Sequence, residues 1–292
     1  MLKGSLVALI TPMRADGSLD EKKLAEFVEW QIAEGTDGLV PTGTTGESPT
    51  LTHEEHKRVV EITVEVANGR VPVIAGTGSN ATAEALDFTR HAKKAGADQV
   101  LIVTPYYNKP TQEGMYLHFS TIADAVDIPI IIYNIPPRSV VDMTPETMGR
   151  LAQHKNIIGV KDATANLVRP YHTRRACGAD FVQYSGEDHT ALAFLAAGGH
   201  GCISVTGNIA PRLISTMHKL WQDGKIAEAM AIQERLTPLH DALFSETSPG
   251  PVKYAASLLG ISDEKIRLPL APPGEATRAR VRDAMAHAGL LN

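Results

Sequence analysis

Lys161 has the position in this 292-residue chain that points most directly to covalent chemistry. It follows a run of apolar, mostly β-branched residues (157–160), so its side chain is expected to start from a buried strand. Burial disfavours the charged form of an amine and leaves a free nucleophile, which can form a Schiff base with a carbonyl compound. The alternatives are an ion pair with Asp162, or an extended side chain whose ammonium reaches water.

Hydroxyl groups that could move protons beside a Schiff base follow three other apolar runs. Thr44 lies in a Gly-Thr-Thr-Gly turn, Tyr107 follows the fourth run, and Tyr133 ends the fifth. Such a set of hydroxyls can act as general acid and base at the imine nitrogen and the neighbouring carbon. Each residue taken alone is more typical of ordinary packing at a strand end, and it is the convergence of three that favours a proton relay.

Two features could bind a carboxylate. The turn 43–46 can present backbone N–H groups and hydroxyls to a small anion, although Gly-Thr turns are common. Arg138 follows Pro136 and Pro137, a stiff pair that restricts where the guanidinium points, and its planar fork suits a carboxylate. The alternative for Arg138 is a solvated surface side chain.

Two other motifs are weaker. His53 and His56 are three residues apart, whereas the helical zinc motif needs a spacing of four, so the sequence predicts no metal site. The Gly-Gly-His-Gly run 198–201 resembles a phosphate-binding loop, but it precedes an apolar run. It is typical of a tight turn between a helix and a strand.

These side chains need a scaffold that brings several strand ends together, and the sequence predicts one. Eight short apolar runs alternate with segments of helical period. The runs are 6–10, 38–41, 71–75, 100–103, 128–133, 157–160, 181–184 and 202–205. Nearly continuous apolar strands that alternate with helices indicate parallel βαβ units, and eight units close a (β/α)8 TIM barrel, whose reactive groups stand at the strand ends. A doubly wound open sheet is the alternative fold.

After the eighth run the pattern is helical only. Helices are predicted at 225–244, 251–259 and 275–288, with Pro- and Gly-rich breaks between them. We therefore expect a catalytic barrel over residues 1–224 and a small C-terminal helical region over residues 225–292, with no linker between them.

Composition limits the partners. Lys and Arg number 28 against 33 Asp and Glu, a net charge of -5, so no basic surface for a nucleic acid is expected. No apolar stretch approaches the roughly 18 residues of a membrane span, and the first run is too short for a signal peptide. Cys177 and Cys202 lack metal-type spacing and favour reduced thiols. The sequence predicts a cytoplasmic protein that binds neither nucleic acid nor membranes.

Five motifs in order give a resemblance that covers nearly the whole chain. They are residues 43–47, 106–110, 133–136, 159–162 and 199–201. The chain resembles the pyruvate-dependent class I aldolase superfamily and, within it, the dihydrodipicolinate synthase family. The resemblance implies an enzyme of lysine and diaminopimelate biosynthesis that condenses pyruvate with L-aspartate 4-semialdehyde to 4-hydroxy-tetrahydrodipicolinate. It also implies that a covalent Schiff base takes the place of any cofactor.

The resemblance implies roles for single residues. Lys161 matches the Schiff-base lysine, and Thr44, Tyr107 and Tyr133 match the proton relay. Four further positions match residues of the substrate pocket: Thr45, Arg138, Gly186 and Ile203. Thr45 would bind the carboxylate of pyruvate, and Arg138 would hold that of the semialdehyde at the entrance.

Two residues near Arg138 depart from the family's pattern. Pro137 stands where Gly or Ser is common, and Ser248 replaces a frequent Asn. The loop around Arg138 is therefore where the predicted site departs from the family's pattern.

A second group of matching positions resembles a feedback site for L-lysine at a dimer interface. Its members are Ser48, Pro49, His53, His56, Asn80, Glu84 and Tyr106. Glu84 would pair with the ammonium of lysine, and the histidines would add polar contacts. In the family, Tyr107 reaches into the site of a neighbouring subunit, so the resemblance implies a homotetramer built as a dimer of dimers.

Two alternative functions stay open at this point. A sister aldolase, such as N-acetylneuraminate lyase or a 2-keto-3-deoxy sugar acid aldolase, would share Lys161 and Tyr133. Arg138 and the paired Thr44 and Thr45 argue against it. A non-catalytic barrel that binds a keto acid or an amino acid would have no use for a proton relay.

Overall fold

The computed structural model describes residues 2–291, which form eight strands and twelve α helices. The strands are β1 Gly4–Ala8, β2 Gly38–Val40, β3 Ile74–Gly76, β4 Gln99–Val103, β5 Ile130–Asn134, β6 Ile157–Asp162, β7 Val182–Ser185 and β8 Gly201–Ser204. The helices are α1 Glu21–Ala33, α2 His53–Ala67, α3 Thr82–Ala95, α4 Gln112–Ala125, α5 Pro136–Ser139, α6 Pro145–Leu151, α7 Arg169–Cys177, α8 Ala191–Ala196, α9 Pro211–Gln222, α10 Ile226–Leu243, α11 Gly250–Leu258 and α12 Glu275–His287.

The strands form one parallel barrel. Their order is β2-β1-β8-β7-β6-β5-β4-β3, and the two ends of this series meet. The Leu39 N–H donates to the Pro72 carbonyl at 2.9 Å, and the Gly76 N–H donates to the Pro41 carbonyl at 2.9 Å. The predicted (β/α)8 barrel is confirmed, and the open sheet is excluded. The third strand begins at Ile74, later than the predicted residue 71, because Pro72 has no N–H to donate to a ladder.

The barrel is filled by side chains that point inward from alternate strand positions. They include Leu6, Val40, Ile74, Leu101, Ile131, Val182, Tyr184 and Ile203, all buried. Ile203, which was predicted to line the pyruvate pocket, is thus a member of this packed interior with no exposed surface. Such packing is typical of a TIM barrel, whose interior is a core and whose open space lies at the strand ends.

The last three helices pack against the barrel. Helix α10 contacts α9 and α12, and α11 contacts α12. Leu239, Val252 and Val281 belong to one apolar cluster with Val7 and Phe27 of the barrel. The predicted helical region therefore exists, and its apolar side chains share a core with β1 and α1. The ends of the two predicted parts, residues 1 and 292, lie outside the described residues.

Two smaller expectations can be compared with the fold. Both cysteines are free thiols, Cys202 buried and Cys177 partly buried, as predicted. The run 198–201 turns from α8 into β8, with Gly198 at φ 94°. It is therefore the predicted helix-to-strand turn, on the barrel face opposite the carboxyl ends of the strands. Within residues 2–291, no helix combines the length and apolarity that a membrane crossing requires.

Candidate active site

A cavity of about 230 Å³ opens at the carboxyl ends of the strands. Thr44 after β2, Tyr133 of β5 and Arg138 of α5 all line it. Tyr133 and Arg138 come from β5 and the helix that follows it, whereas Thr44 follows β2, and only the closed barrel brings these two segments together. The structure therefore joins the predicted relay residues Thr44 and Tyr133 with the predicted carboxylate-binding arginine.

Lys161 lies near the end of β6 with 5% of its surface exposed. The register of β5 on β6 pairs it with Tyr133, and its Nζ lies 4.2 Å from the centroid of the Tyr133 ring. The ion pair of Lys161 with Asp162 is not formed. Asp162 instead accepts hydrogen bonds from the Thr164 N–H at 2.8 Å and the Thr164 hydroxyl at 2.7 Å. The amine is buried, and within the described residues it makes no ion pair.

Gly186 leaves the space that Lys161 occupies. A Cβ at this position would lie 3.2 Å from the Lys161 Cε and 2.7 Å from the Ala163 Cβ. The Gly186 N–H donates to the Asp162 carbonyl at 2.6 Å, which ties the β7 end to the β6 end. Burial raises the pKa of the adjacent Glu187, and the charge of Lys161 acts in the opposite direction. Small residues at these two strand ends thus keep room around the amine.

The turn after β2 is held by the backbone around it. The Thr11 hydroxyl donates to the Gly46 carbonyl at 2.7 Å, and the Thr42 hydroxyl donates to the Gly76 carbonyl at 2.8 Å. Thr44 faces the cavity as a consequence. Thr45, predicted to bind the carboxylate of pyruvate, is 4% exposed and does not line the cavity in this chain.

Arg138 is fixed from the C-terminal region. Pro136 and Pro137 occupy the first turn of α5, where a helix needs no N–H donor, so Pro137 fits without distortion. The Arg138 Nη2 donates to the Ser248 carbonyl at 3.0 Å. Because a backbone oxygen makes this contact, the presence of Ser at position 248 does not remove it.

Tyr107 points away from the cavity. Its side chain is 88% exposed, and its φ of 73° lies in the left-handed region. The preceding Tyr106 is partly buried and lines the cavity. The Asn80 amide donates to the Tyr106 carbonyl at 3.2 Å, and the Asn108 amide donates to the Asn80 carbonyl at 2.8 Å. The loop therefore separates two neighbouring tyrosines, one facing inward and one facing outward.

The residues predicted to bind lysine form a cluster beside this loop. His53 Nε2 lies 2.8 Å from Glu84 Oε1, and the Ser79 hydroxyl donates to the other carboxylate oxygen. His56 lies deeper, stacked on Phe88 with ring centroids 3.9 Å apart. Burial lowers the pKa of His56 to about 4, so this ring is neutral at neutral pH. Glu84 is already hydrogen-bonded, and an incoming ammonium would share it with His53.

The two predicted sites share a wall. Ser48, Pro49 and Tyr106, assigned above to the lysine site, line the same cavity as Thr44 and Arg138. Any ligand that moves these three residues therefore acts directly on the catalytic cavity. The structure thus gives the two predicted sites a physical connection.

Sequence reasoning missed part of the cavity wall. Gly76 and Gly78 line it, and a Cβ at Gly76 would lie 2.4 Å from the Thr42 carbonyl oxygen. A Cβ at Gly78 would lie 2.5 Å from the Val103 nitrogen. The Gly-Thr-Gly sequence after the third apolar run was the signal, because it stands at a strand end like the other site residues. Among residues 2–291 no group of three or more His, Cys, Asp or Glu side chains is arranged to hold a metal ion.

Comparison with known proteins gives a clear family. Residues 1–288 match the model of the dihydrodipicolinate synthetase family. The chain belongs to this family. Over 291 residues it is 69% identical to the 4-hydroxy-tetrahydrodipicolinate synthase of Acidiphilium cryptum, with 100% of both chains covered.

Solved structures agree. The dihydrodipicolinate synthase of Acinetobacter baumannii, in complex with pyruvate, superposes with a TM-score of 0.97 at 45% identity and 100% coverage of both chains. The enzyme of Cyanidioschyzon merolae, with lysine bound, superposes with a TM-score of 0.96 at 38% identity and 99% coverage of both.

Family membership confirms the predicted class of enzyme and disfavours the non-catalytic barrel and the sister aldolases. Enzymes of this family use a covalent Schiff base between pyruvate and a lysine, with no external cofactor. The predicted Schiff-base chemistry is therefore confirmed at the level of the family. The roles of individual residues in this chain stay predictions.

Proposed function

We propose that this protein condenses pyruvate with L-aspartate 4-semialdehyde to 4-hydroxy-tetrahydrodipicolinate, in lysine and diaminopimelate biosynthesis in the cytoplasm. The observation that carries the proposal is the amine of Lys161, which is buried, makes no ion pair within the described residues, and lies against Tyr133 at a cavity that also presents Thr44. A lysine amine in that place can add to a keto carbon as a nucleophile.

The chemistry proceeds through an imine. The Lys161 Nζ adds to the keto carbon of pyruvate, and loss of water gives the Schiff base. Loss of a methyl proton then gives an enamine, whose carbon attacks the aldehyde carbon of the semialdehyde while the aldehyde oxygen takes a proton. The amino group of the semialdehyde then adds to the imine carbon and the bond to Lys161 Nζ breaks, which closes the ring as a cyclic imine and releases the protonated lysine amine. Hydroxyls of Thr44 and Tyr133, with Tyr107 of the partner subunit, carry these protons.

The shape of the cavity favours this substrate pair. A volume of about 230 Å³ is small for a ligand site, since pockets for drug-sized molecules measure roughly 300–1,000 Å³. Two small acids fit this volume better than the long polyhydroxylated substrate of a sister aldolase. Pyruvate would lie beside Lys161 and Gly186, with its carboxylate near the turn that carries Thr44 and Thr45, and Arg138 would bind the carboxylate of the semialdehyde. Ile203, whose side chain is buried in the barrel, would support this pocket from below.

L-Lysine is the proposed effector. It would bind at the cluster given above, with Glu84 on its ammonium, and a family member solved with lysine bound supports this. Tyr106 lines the cavity and is bonded to Asn80, so a ligand at the cluster reaches both Tyr106 and the adjacent Tyr107. We further propose a homotetramer built as a dimer of dimers, supported by the exposure of Tyr107, a relay residue with no access to its own cavity.

Reductive trapping tests the proposal. Borohydride added with pyruvate should attach a pyruvate-derived mass to the peptide that contains Lys161, and Lys161→Met should take up none. As the matched control, Lys155→Met removes a lysine whose side chain is 76% exposed, and it should be labelled like the wild type. Label on another lysine would contradict the assignment. A coupled assay should then show turnover with the semialdehyde and none with sugar acids.

A further inference from the structure

A buried ion pair joins the turn after β2, which carries Thr44, to the C-terminal helical region. The Lys253 Nζ, from α11, donates to Glu47 Oε1 at 2.6 Å, and the two side chains are 0% and 1% exposed. Every other ion pair among residues 2–291 has a partner that is at least 24% exposed. Burial lowers the pKa of Lys253, and the Glu47 carboxylate opposes this shift.

The second oxygen of Glu47 is held from the same region. Glu47 Oε2 accepts from the Arg267 N–H at 3.0 Å, and the Arg267 guanidinium binds the Glu55 carboxylate and, at 2.7 Å, the Thr50 carbonyl. The chain between α11 and α12 therefore holds the segment from Glu47 to Glu55 at both ends. Glu47 has a φ of 57°, a left-handed conformation that non-glycine residues seldom adopt, and these contacts hold it there.

The backbone carries this restraint into the cavity. The Glu47 N–H donates to the Thr44 carbonyl at 3.1 Å, and the Ser48 N–H donates to the Gly43 carbonyl at 3.4 Å. Thr44 and Ser48 line the cavity, whereas Glu47 and Lys253 do not. A displacement of Glu47 therefore moves Thr44, although the ion pair touches no substrate.

We propose that Lys253 is a positioning residue for the reaction, which acts through Glu47 to fix the turn that carries Thr44 and Thr45. The C-terminal helical region, which supplies none of the reacting groups, thereby sets the affinity for pyruvate. This inference rests on the proposed function, in which pyruvate binds beside the turn that carries Thr44 and Thr45.

The test separates positioning from stability. Lys253→Met leaves the Glu47 charge buried without a partner, whereas Glu47→Gln combined with Lys253→Met removes both charges. Steady-state kinetics are normalised to the sites that borohydride and pyruvate trap. Misplacement of a binding group typically costs up to about 100-fold, so the KM for pyruvate should rise roughly 10- to 100-fold in both variants. The double variant should recover thermal stability, because no unpaired charge is left in the core.

A purely structural pair gives a different result. It would lower the fraction of folded enzyme and leave the KM of the folded sites unchanged. Lys219→Met, which removes a side chain that is 76% exposed and paired with Asp223, is the matched control and should keep the wild-type KM. A wild-type KM in the double variant overturns the inference, and so does failure of the double variant to fold. Absence of trapping in the wild type would overturn the proposed function itself.

Discussion

The floor of the cavity and its rim are built differently. The floor is formed by Tyr133, with the Lys161 amine packed against its ring. Both residues are at most 6% exposed, and the ladder between β5 and β6 pairs them. The rim consists of Arg138, in the short helix α5, and of the loop with Tyr106, which lines the cavity, and Tyr107, which is 88% exposed. The floor is thus complete within one barrel, because strand register fixes both side chains.

The rim depends on contacts from elsewhere. Arg138 is held by the Ser248 carbonyl of the C-terminal region. The Tyr107 side chain points to solvent, away from the cavity of its own chain. Loops take their geometry from such partners because they lack a hydrogen-bond ladder. The difference predicts that the covalent chemistry depends on the barrel, whereas substrate choice and regulation depend on the parts that surround it. Four predictions test this division.

The largest effect should come from mixing two inactive variants. Tyr107→Phe and Lys161→Met should each lose activity, the first by about 10²- to 10⁴-fold, as general acid–base groups do. If Tyr107 serves the partner's site, each mixed dimer contains one intact site, and random mixing should restore about a quarter of wild-type activity. The measurement is turnover after co-expression of the two chains. Mixed protein that stays inactive would place Tyr107 in its own chain's site and contradict the divided rim.

The next largest effect concerns Arg138. Charge-assisted hydrogen bonds contribute about 1.5–3 kcal/mol, and each 1.4 kcal/mol is a decade, so Arg138→Ala should raise the KM for the semialdehyde roughly 10- to 100-fold. The KM for pyruvate should change much less. Ser248→Ala is the control and should behave as wild type, because the backbone carbonyl makes the contact. An unchanged semialdehyde KM in Arg138→Ala would remove the specificity role of the rim.

A smaller effect is expected at the lysine cluster. Glu84→Gln keeps the size of the side chain but loses the charge for an ammonium, so the lysine concentration for half-inhibition should rise several-fold or more. Coupling between sites is usually about 1–3 kcal/mol, which predicts partial inhibition in the wild type. Asp87→Asn, which removes a 55% exposed carboxylate from the same helix, should leave inhibition unchanged. Activity without lysine should stay near normal in both, and wild-type enzyme that ignores millimolar lysine would disprove the site.

The last prediction concerns the protonation of His56, which should act on stability and have the smallest effect on activity. Its pKa falls from 6.5 to about 4 on burial, so the unfolded chain binds one more proton between these pH values. The free energy of unfolding should therefore decrease as the pH is lowered from about 7 to 4, by about 3 kcal/mol from this residue. Denaturant titrations of wild type and His56→Leu should show their difference shrinking over this range. A difference that does not vary with pH would mean that His56 is open to water and belongs to the rim.

The sequence was sufficient for the floor. Eight apolar runs with helices between them predicted the barrel, because strands buried on both faces are apolar along their whole length, and the structure then excluded the open sheet. Lys161 and Tyr133 could be placed at the strand ends for the same reason, since each ends such a run. The residues themselves suggested Arg138 as a carboxylate-binding group, and the family resemblance added Gly186 as a single position. The structure explains Gly186, because a Cβ added there would lie only 3.2 Å from the Lys161 Cε.

Only the tertiary structure decided how distant segments meet. Glu47 and Lys253 are 206 residues apart, and nothing in the local pattern of either marks them as partners in a buried ion pair. The contact of Arg138 with Ser248 is likewise long-range, and so is the meeting of Tyr106 with Thr44 and Ser48 in one cavity wall. Local periodicity indicates which face of an element is buried, because side-chain direction repeats about every 3.6 residues in a helix and about every two residues in a strand. It carries no information on which loops become neighbours, since that depends on how the barrel closes and how the last helices pack on it.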